Sequence, residues 1–171
     1  MYINEIKLKN FRNYNNQEIK FKKGINLFYG KNAQGKTNII ESIFLCSMGK
    51  SFRARRDKEL IKFEENNSNI EIKYTKKDRE GSIKYIIGEE KNIFINNVQI
   101  KKMSEILGNI NIVLFSPEDI NIIKDGPSNR RKFFDLLISQ LKPSYMYQLQ
   151  QYYKILEQRN NLLKRGKFSN I

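Results

Sequence analysis

The chain has 171 residues and a formal net charge of +14, from 32 Lys and Arg against 18 Asp and Glu. This length is enough for one domain with a hydrophobic core. The charge favours polyanionic partners such as nucleic acid, nucleotide phosphates or an anionic membrane face, although an AT-rich genome also raises the Lys content. The sequence contains no His, which excludes His-based catalysis and His-ligated metal sites.

The single cysteine, Cys46, excludes an internal disulfide, and its apolar neighbours predict a buried thiol. The N-terminal residues lack the charged and then apolar stretch of a secretion signal. No apolar run approaches the roughly 18 residues of a membrane-spanning helix. We therefore expect a reducing, cytoplasmic setting and no membrane partner.

Alternating apolar and charged residues predict two N-terminal strands, around Ile6–Leu8 and Ile19–Phe21, joined by a polar loop over 10–16. A third strand is predicted over Ile25–Tyr29. The helix predicted next, over 36–48, has one apolar face, which consists of Ile40, Ile43, Phe44, Ser47 and Met48.

Three further strands, over 70–74, 82–87 and 92–95, are predicted to form an antiparallel meander with a hairpin turn at 77–81. A short helical turn is expected over 103–107. These segments are separated from the first helix by a basic, loop-like stretch.

The nearly continuous apolar run Ile110–Phe115 predicts a buried strand. Ser116 to Asp119 has the pattern of a helix N-terminus. We expect this helix to end at Gly126-Pro127, after which another helix begins. After a break at 141–143, a long amphipathic helix is predicted from the spacing of Tyr145, Leu149, Tyr152, Leu156 and Leu163. Because no later segment is left to cover that apolar seam, we expect the chain to be a fragment of a longer protein.

Residues 30–37, Gly-Lys-Asn-Ala-Gln-Gly-Lys-Thr, match the phosphate-loop pattern G-x-x-x-x-G-K-[ST]. The glycines allow backbone conformations that turn successive N–H groups towards phosphates, and the helix that follows presents its positive end. Lys36 is expected to reach the β- and γ-phosphates and the Thr37 hydroxyl to bind Mg²⁺. We therefore predict ATP and Mg²⁺ as cofactors, with the nucleotide bound by Gly30, Lys31, Asn32, Ala33, Gln34, Gly35, Lys36, Thr37 and Asn38.

Together with this loop, other segments resemble the N-terminal part of the RecF family, bacterial recombination and repair ATPases related to SMC and ABC-type ATPases. The resemblance rests on the order and spacing of these segments taken together. Apart from the loop, no single segment is specific by itself. The segments are Lys9-Asn10-Phe11-Arg12-Asn13-Tyr14, residues 29–38, Gly49-Lys50-Ser51-Phe52-Arg53, residues 113–119, Gly126-Pro127, and Arg130-Arg131-Lys132-Phe133-Phe134-Asp135.

The resemblance implies an α/β P-loop NTPase of the ABC/SMC-like head type, with a mixed β-sheet around the P-loop helix. An antiparallel β lobe is expected at about 68–100, within an ATP-binding core over 1–125, and a helical lobe that is cut short over 126–171. Arg12 and Asn13 are implied to lie near the α-phosphate, ribose or base. Solvated turn residues are the alternative for both.

The resemblance also implies a protein of DNA replication, recombination, repair and the SOS response. Such a protein binds double-stranded or gapped DNA, forms an ATP-dependent homodimer and acts with other recombination-repair proteins. The sequence lacks a signature stretch and the paired acids of a Walker B strand, which in the family lie beyond position 171. The catalytic residues stay unknown, and we do not expect the chain alone to hydrolyse ATP efficiently.

Related ATPases have a Mg²⁺-contacting glutamine loop where this chain has Pro117-Glu118-Asp119. A glutamine role therefore does not transfer to this segment. Glu118 is expected either to act on the ion through water or to be an ordinary acid in the first turn of a helix.

Two groups of cations suit a DNA backbone, read without base specificity, or else form solvated surface. The first group consists of Lys50, Arg53, Arg55, Arg56 and Lys58, and the second of Arg130, Arg131 and Lys132; all except Lys58 and Lys132 are predicted to contact DNA. Two other functions stay open at this point. One is a self-contained P-loop phosphotransferase such as a small kinase, and the other is a DNA-binding module that holds a structural nucleotide.

Overall fold

A computed structural model gives the fold and describes residues 1–120 and 126–164. The chain forms two compact units, Met1–Leu114 and Phe115–Ile171. The division into a core over 1–125 and a helical lobe from 126 stays a prediction.

The first unit is built on a six-stranded sheet in the spatial order β2-β1-β3-β4-β5-β6, with antiparallel pairing in every ladder of the described residues. The predicted meander is confirmed, but it continues the N-terminal hairpin in one sheet because β3 pairs directly with β1. The strands are β1 (Tyr2–Phe11), β2 (Tyr14–Lys20), β3 (Ser68–Lys76), β4 (Arg79–Ile87), β5 (Lys91–Ile95) and β6 (Val98–Gln99).

Alternate residues of the central strands form the apolar face of this sheet, because side chains of a strand point to opposite faces in turn. In the register of the sheet, Ile6 lies opposite Ile72, and Ile72 lies opposite Ile83. Helix α1 (Lys36–Met48) packs on β3 and β4. The fully buried apolar residues of the sheet are Ile6, Leu8, Phe11, Ile70, Ile72, Ile83, Tyr85 and Ile87.

The bounds of α1 are those predicted, and Cys46 is fully buried, as predicted. Burial among apolar side chains raises the pKa of the Cys46 thiol. The predicted apolar face is wrong at Ile40, which is 39% exposed, whereas Ile39 is buried. Because four apolar residues occur within six positions here, their spacing did not decide which side of the helix meets the sheet.

The loop predicted over 10–16 is wrong. It is a hairpin turn of only two residues, Arg12 and Asn13, between a pair formed by Phe11 and Tyr14. Phe11 is fully buried, and this burial extends β1 to the turn. Arg12 takes a φ of 52°, in the left-handed region that tight hairpin turns require.

The strand predicted over Ile25–Tyr29 is also wrong: within the described residues this segment belongs to no ladder, and its alternate side chains Ile25, Leu27 and Tyr29 are exposed. The run 110–115 likewise forms no strand there, and Val113 and Phe115 are more than four-fifths exposed, at 84% and 87%. An apolar pattern sets how side chains are distributed. A strand also needs a neighbouring backbone to bond its N–H and C=O groups, which no pattern shows.

Helices dominate the second unit. A 3₁₀ turn, Pro117–Ile120, precedes α2 (Pro127–Leu141) and α3 (Pro143–Lys164). The hydroxyl of Tyr145 donates to Asp135 over 2.5 Å and joins α3 to α2. Helix α3 confirms the predicted long amphipathic helix. The other helix is predicted to start at Ser116 and to continue over 121–125, and these residues lie outside the described ones. The side chain of Glu118 also lies outside the described part of the chain. None of the helices described is both long and apolar enough to cross a membrane.

The C-terminal end of α1 is anchored to the sheet through Gly49. Its φ of 73° is left-handed, and a Cβ there would lie 2.3 Å from the sulfur of Met103. The buried hydroxyl of Tyr85 donates to the Gly49 carbonyl over 2.7 Å. Burial raises the pKa of Tyr85, so the phenol keeps this proton.

We expect Tyr85→Phe to lower the free energy of unfolding by about 1–2 kcal/mol, because the Gly49 carbonyl loses its buried donor. Urea unfolding followed by circular dichroism measures this loss. Tyr29→Phe is the matched control, since Tyr29 is 88% exposed and should give no measurable change. Equal stability of the two variants would show that the hydrogen bond of Tyr85 does not hold the helix end.

Candidate nucleotide-binding site

The phosphate-binding loop has the backbone that its glycines predict. Gly30, Ala33 and Gly35 take φ values of 144°, 64° and 98°. Gly35 is required for space as well, because a Cβ there would lie 2.7 Å from the Tyr14 hydroxyl and 2.8 Å from Asn13 Oδ1. The hairpin turn of β1 and β2 therefore packs directly against the end of the loop.

Helix α1 opens towards this loop. Its N-cap residue is Gly35, which has no side chain with which to cap the first N–H groups of the helix. The ammonium of Lys36 donates to the carbonyls of Gly30, over 2.8 Å, and Lys31, over 2.6 Å. The loop thus combines a helix N-terminus with a fixed cation, which is the chemistry that binds phosphate.

A cavity of about 350 Å³ lies over the loop. Larger cavities exist, for instance one of about 610 Å³ beside Phe63, but its lining mixes acidic and basic side chains. The smaller cavity has no acidic residue in its lining and includes one residue from outside the loop and helix. Its lining residues are Asn32, Ala33, Gln34, Gly35, Lys36, Thr37, Asn38 and Arg53.

The residue that lines the cavity from outside the loop and helix α1 is Arg53. Its Nη1 donates to Asn38 Oδ1 over 3.3 Å, and Asn38 Nδ2 donates to Asn13 Oδ1 over 2.9 Å. The structure therefore brings Asn13, Asn38 and Arg53 together at the first turn of α1. Sequence reasoning grouped Arg53 with the DNA-binding cations, because neighbours in the chain share its charge.

Arg12 adjoins this group but is engaged elsewhere. Its Nε and Nη2 donate to the two carboxylate oxygens of Glu41, over 2.9 and 2.7 Å, and its Nη1 donates to the carbonyl of Glu59 over 2.9 Å. Glu41 is fully buried in α1, and the Arg12 side chain is 23% exposed. Its predicted contact with the nucleotide stays a prediction.

Glu41 and Ser51 were not singled out from the sequence. The Ser51 hydroxyl donates to Glu41 Oε1 over 2.5 Å and accepts the backbone N–H groups of Arg53 and Ala54, each over 2.9 Å. The available signal was a carboxylate in the apolar run Ile39 to Phe44. A charge is seldom buried without a partner, so this position called for a cation nearby.

Lys91 links the two ends of the basic segment after α1, residues 49–57. The Lys91 ammonium binds the Asp57 carboxylate over 2.7 Å at one end and the Gly49 carbonyl over 3.4 Å at the other. Between these ends, Lys50, Arg55 and Arg56 are exposed. Arg130 and Arg131, the second predicted cluster, are exposed on α2 in the other unit.

Comparison with known proteins gives one matching family model and several similar proteins. The family model of the AAA domain matches residues 5–169. The chain is 51% identical to the DNA replication and repair protein RecF of Clostridium acetobutylicum, covering 99% of this chain and 47% of that protein. It is 50% identical to RecF of Acetivibrio thermocellus, covering 96% of this chain and 45% of that protein. The chain thus spans roughly half the length of the curated relatives it matches.

Two solved structures are similar to this chain in both fold and sequence. One, the recombination mediator protein RecF-ATPrS in the RecFOR pathway, has a TM-score of 0.92 at 43% identity and covers 99% of this chain and 47% of its own. The RecF-ATP structure of the same pathway has a TM-score of 0.88 at 44% identity, over 98% of this chain and 47% of its own. These likenesses confirm the predicted P-loop fold class and the resemblance to the N-terminal part of RecF. The chain therefore belongs to the AAA domain family.

Proposed function

We propose that this chain is the ATP-binding portion of a DNA repair and recombination protein, which binds DNA and uses ATP-dependent dimerisation as a switch. The observation that carries the proposal is the phosphate-binding loop, with Gly35 wedged against Tyr14 and Lys36 fixed across the loop. Relatives that resemble the chain along its length are described as DNA replication and repair proteins, and one structure among them is of RecF-ATP.

The residues present fit ATP with Mg²⁺. The cavity is lined by polar and cationic groups around an uncapped helix N-terminus, which suits a polyphosphate. Thr37, in the first turn of α1, would supply a hydroxyl to the ion. In the ranges 1–120 and 126–164, no group of three Cys, Asp or Glu side chains is placed to hold a metal by itself, so the ion would also need phosphate oxygens. Bound Mg²⁺ would neutralise charge on the phosphates.

DNA is the second proposed ligand. The net charge of +14 favours a polyanion, and Lys50, Arg55 and Arg56 are exposed on a segment whose ends are fixed. A backbone segment that is already held loses less conformational entropy on binding than a flexible one. We propose that these side chains contact the phosphates of double-stranded or gapped DNA, and that Arg130 and Arg131 make phosphate contacts of their own.

The homodimer and the recombination-repair partners rest on the relatives. Structures similar to this chain are described as a recombination mediator in the RecFOR pathway. We propose that the whole protein acts in such a pathway, in the cytoplasm, and that ATP hydrolysis needs sequence in addition to the 171 residues of this chain.

We expect Lys36→Ala to abolish nucleotide binding, because the fixed cation of the loop is removed. A titration with a fluorescent ATP analogue in the presence of Mg²⁺ measures this loss. Lys20→Ala is the control, since Lys20 lies exposed on the edge strand β2 and should leave the affinity unchanged. An affinity in Lys36→Ala equal to that of the control would refute the assignment of the loop.

Reversing Arg55 and Arg56 to Glu should weaken binding to duplex DNA and flatten the dependence of log K on log salt, by roughly one unit for each phosphate that is no longer neutralised. Fluorescence anisotropy over a range of salt concentrations measures both. The control is the reversal of Lys20 and Lys22 to Glu, which changes the net charge equally at another place on the chain. Identical slopes for the two double variants would mean that net charge alone attracts the DNA.

A further inference from the structure

The basic segment contains one cation that is directed differently from the rest. Arg53 is exposed, like Lys50, Arg55 and Arg56, but of these four it alone lines the cavity over the phosphate-binding loop. The backbone at Arg53 is held by Ser51, whose Oγ accepts its N–H over 2.9 Å. The direction of this side chain therefore depends on where the Ser51 hydroxyl is fixed.

That hydroxyl is fixed by a buried charge. Ser51 donates to Glu41 Oε1 over 2.5 Å, and the same carboxylate accepts two N–H groups of Arg12. Hydrogen bonds to an ionised group are shorter and stronger than neutral ones, so the serine is firmly placed. Glu41 lies on α1, the helix that begins at the phosphate-binding loop, so the basic segment and the loop are tied to one rigid element.

We propose that Glu41 and Ser51 are positioning residues of the nucleotide site, which hold the Arg53 guanidinium against the phosphates of a bound nucleoside triphosphate. This inference rests on the proposed function. Ser51 fixes the backbone at Arg53, and Asn38 orients the guanidinium through the 3.3 Å hydrogen bond to its Oδ1. A planar cation with several donors is suited to bind phosphate oxygens in pairs.

Arg53 would thus act on the nucleotide while its neighbours act on DNA. Its guanidinium adds a second positive group, beside Lys36, to a cavity without acidic lining. Without the Ser51 hydroxyl, the N–H groups of Arg53 and Ala54 lose their acceptor, and the side chain is no longer directed to one place.

The test compares four variants of the 171-residue chain: Ser51→Ala, Arg53→Gln, the double variant and Ser51→Thr. The affinity for ATP with Mg²⁺ is measured by calorimetric titration. Ser51→Ala should weaken binding several-fold and Arg53→Gln about tenfold, the factor expected when one charge-assisted hydrogen bond is removed. The double variant should be no weaker than Arg53→Gln, and Ser51→Thr, which keeps the hydroxyl, should restore the parent affinity.

Ser68→Ala is the control, because Ser68 is another serine of the first unit whose hydroxyl donates a hydrogen bond there, to the carbonyl of Lys9. It should lower the melting temperature without changing the affinity for ATP. An affinity of Ser51→Ala within twofold of the parent, or losses that multiply in the double variant, would overturn the positioning role. A parent chain that binds no ATP would instead overturn the proposed function.

Discussion

The buried ion pair of Arg12 and Glu41 is the interaction on which the site depends. A carboxylate with no solvent exposure is costly unless donors surround it, and here the donors come from distant parts of the chain. Arg12 belongs to the hairpin turn between β1 and β2, Glu41 to the middle of α1, and Ser51 to the basic segment. Because the charge has to be satisfied, these three elements have to meet, and they meet beside the phosphate-binding loop.

The hairpin turn consequently does more than connect two strands. It carries Arg12 to Glu41, and it places Asn13 and Tyr14 against Gly35 so closely that no side chain fits there. The glycine is needed both for its φ of 98° and for this close approach. The other end of α1 is held by Tyr85 and Gly49. A helix fixed at both ends keeps its N-terminus at a defined distance from the loop, which a binding site for phosphate requires.

Much of this arrangement could be predicted from local sequence. The loop, the bounds of α1, the three meander strands and the burial of Cys46 follow from motif spacing, helical periodicity and alternation. The segments 25–29 and 110–115 could not be predicted in the same way, since alternation says nothing about a neighbouring backbone. The two-residue length of the turn between β1 and β2 was missed because polar residues surround the turn, although the burial of Phe11 extends β1 up to it.

The direction of the Arg53 side chain could not be predicted from the sequence for another reason. Charge is a property of a residue type, but direction is a property of the folded backbone, and adjacent arginines need not share it. Lys91 bonds to both ends of the basic segment, at Gly49 and at Asp57. The ion pair with Asp57 is partly exposed, so it contributes little to stability by itself. Its effect is geometric: with both ends and Ser51 held, Arg53 lines the cavity over the phosphate-binding loop, and Arg55 and Arg56 lie outside that lining. Arg53 therefore shares a backbone that is held at Gly49, Ser51 and Asp57 with the cations for which DNA contacts are proposed.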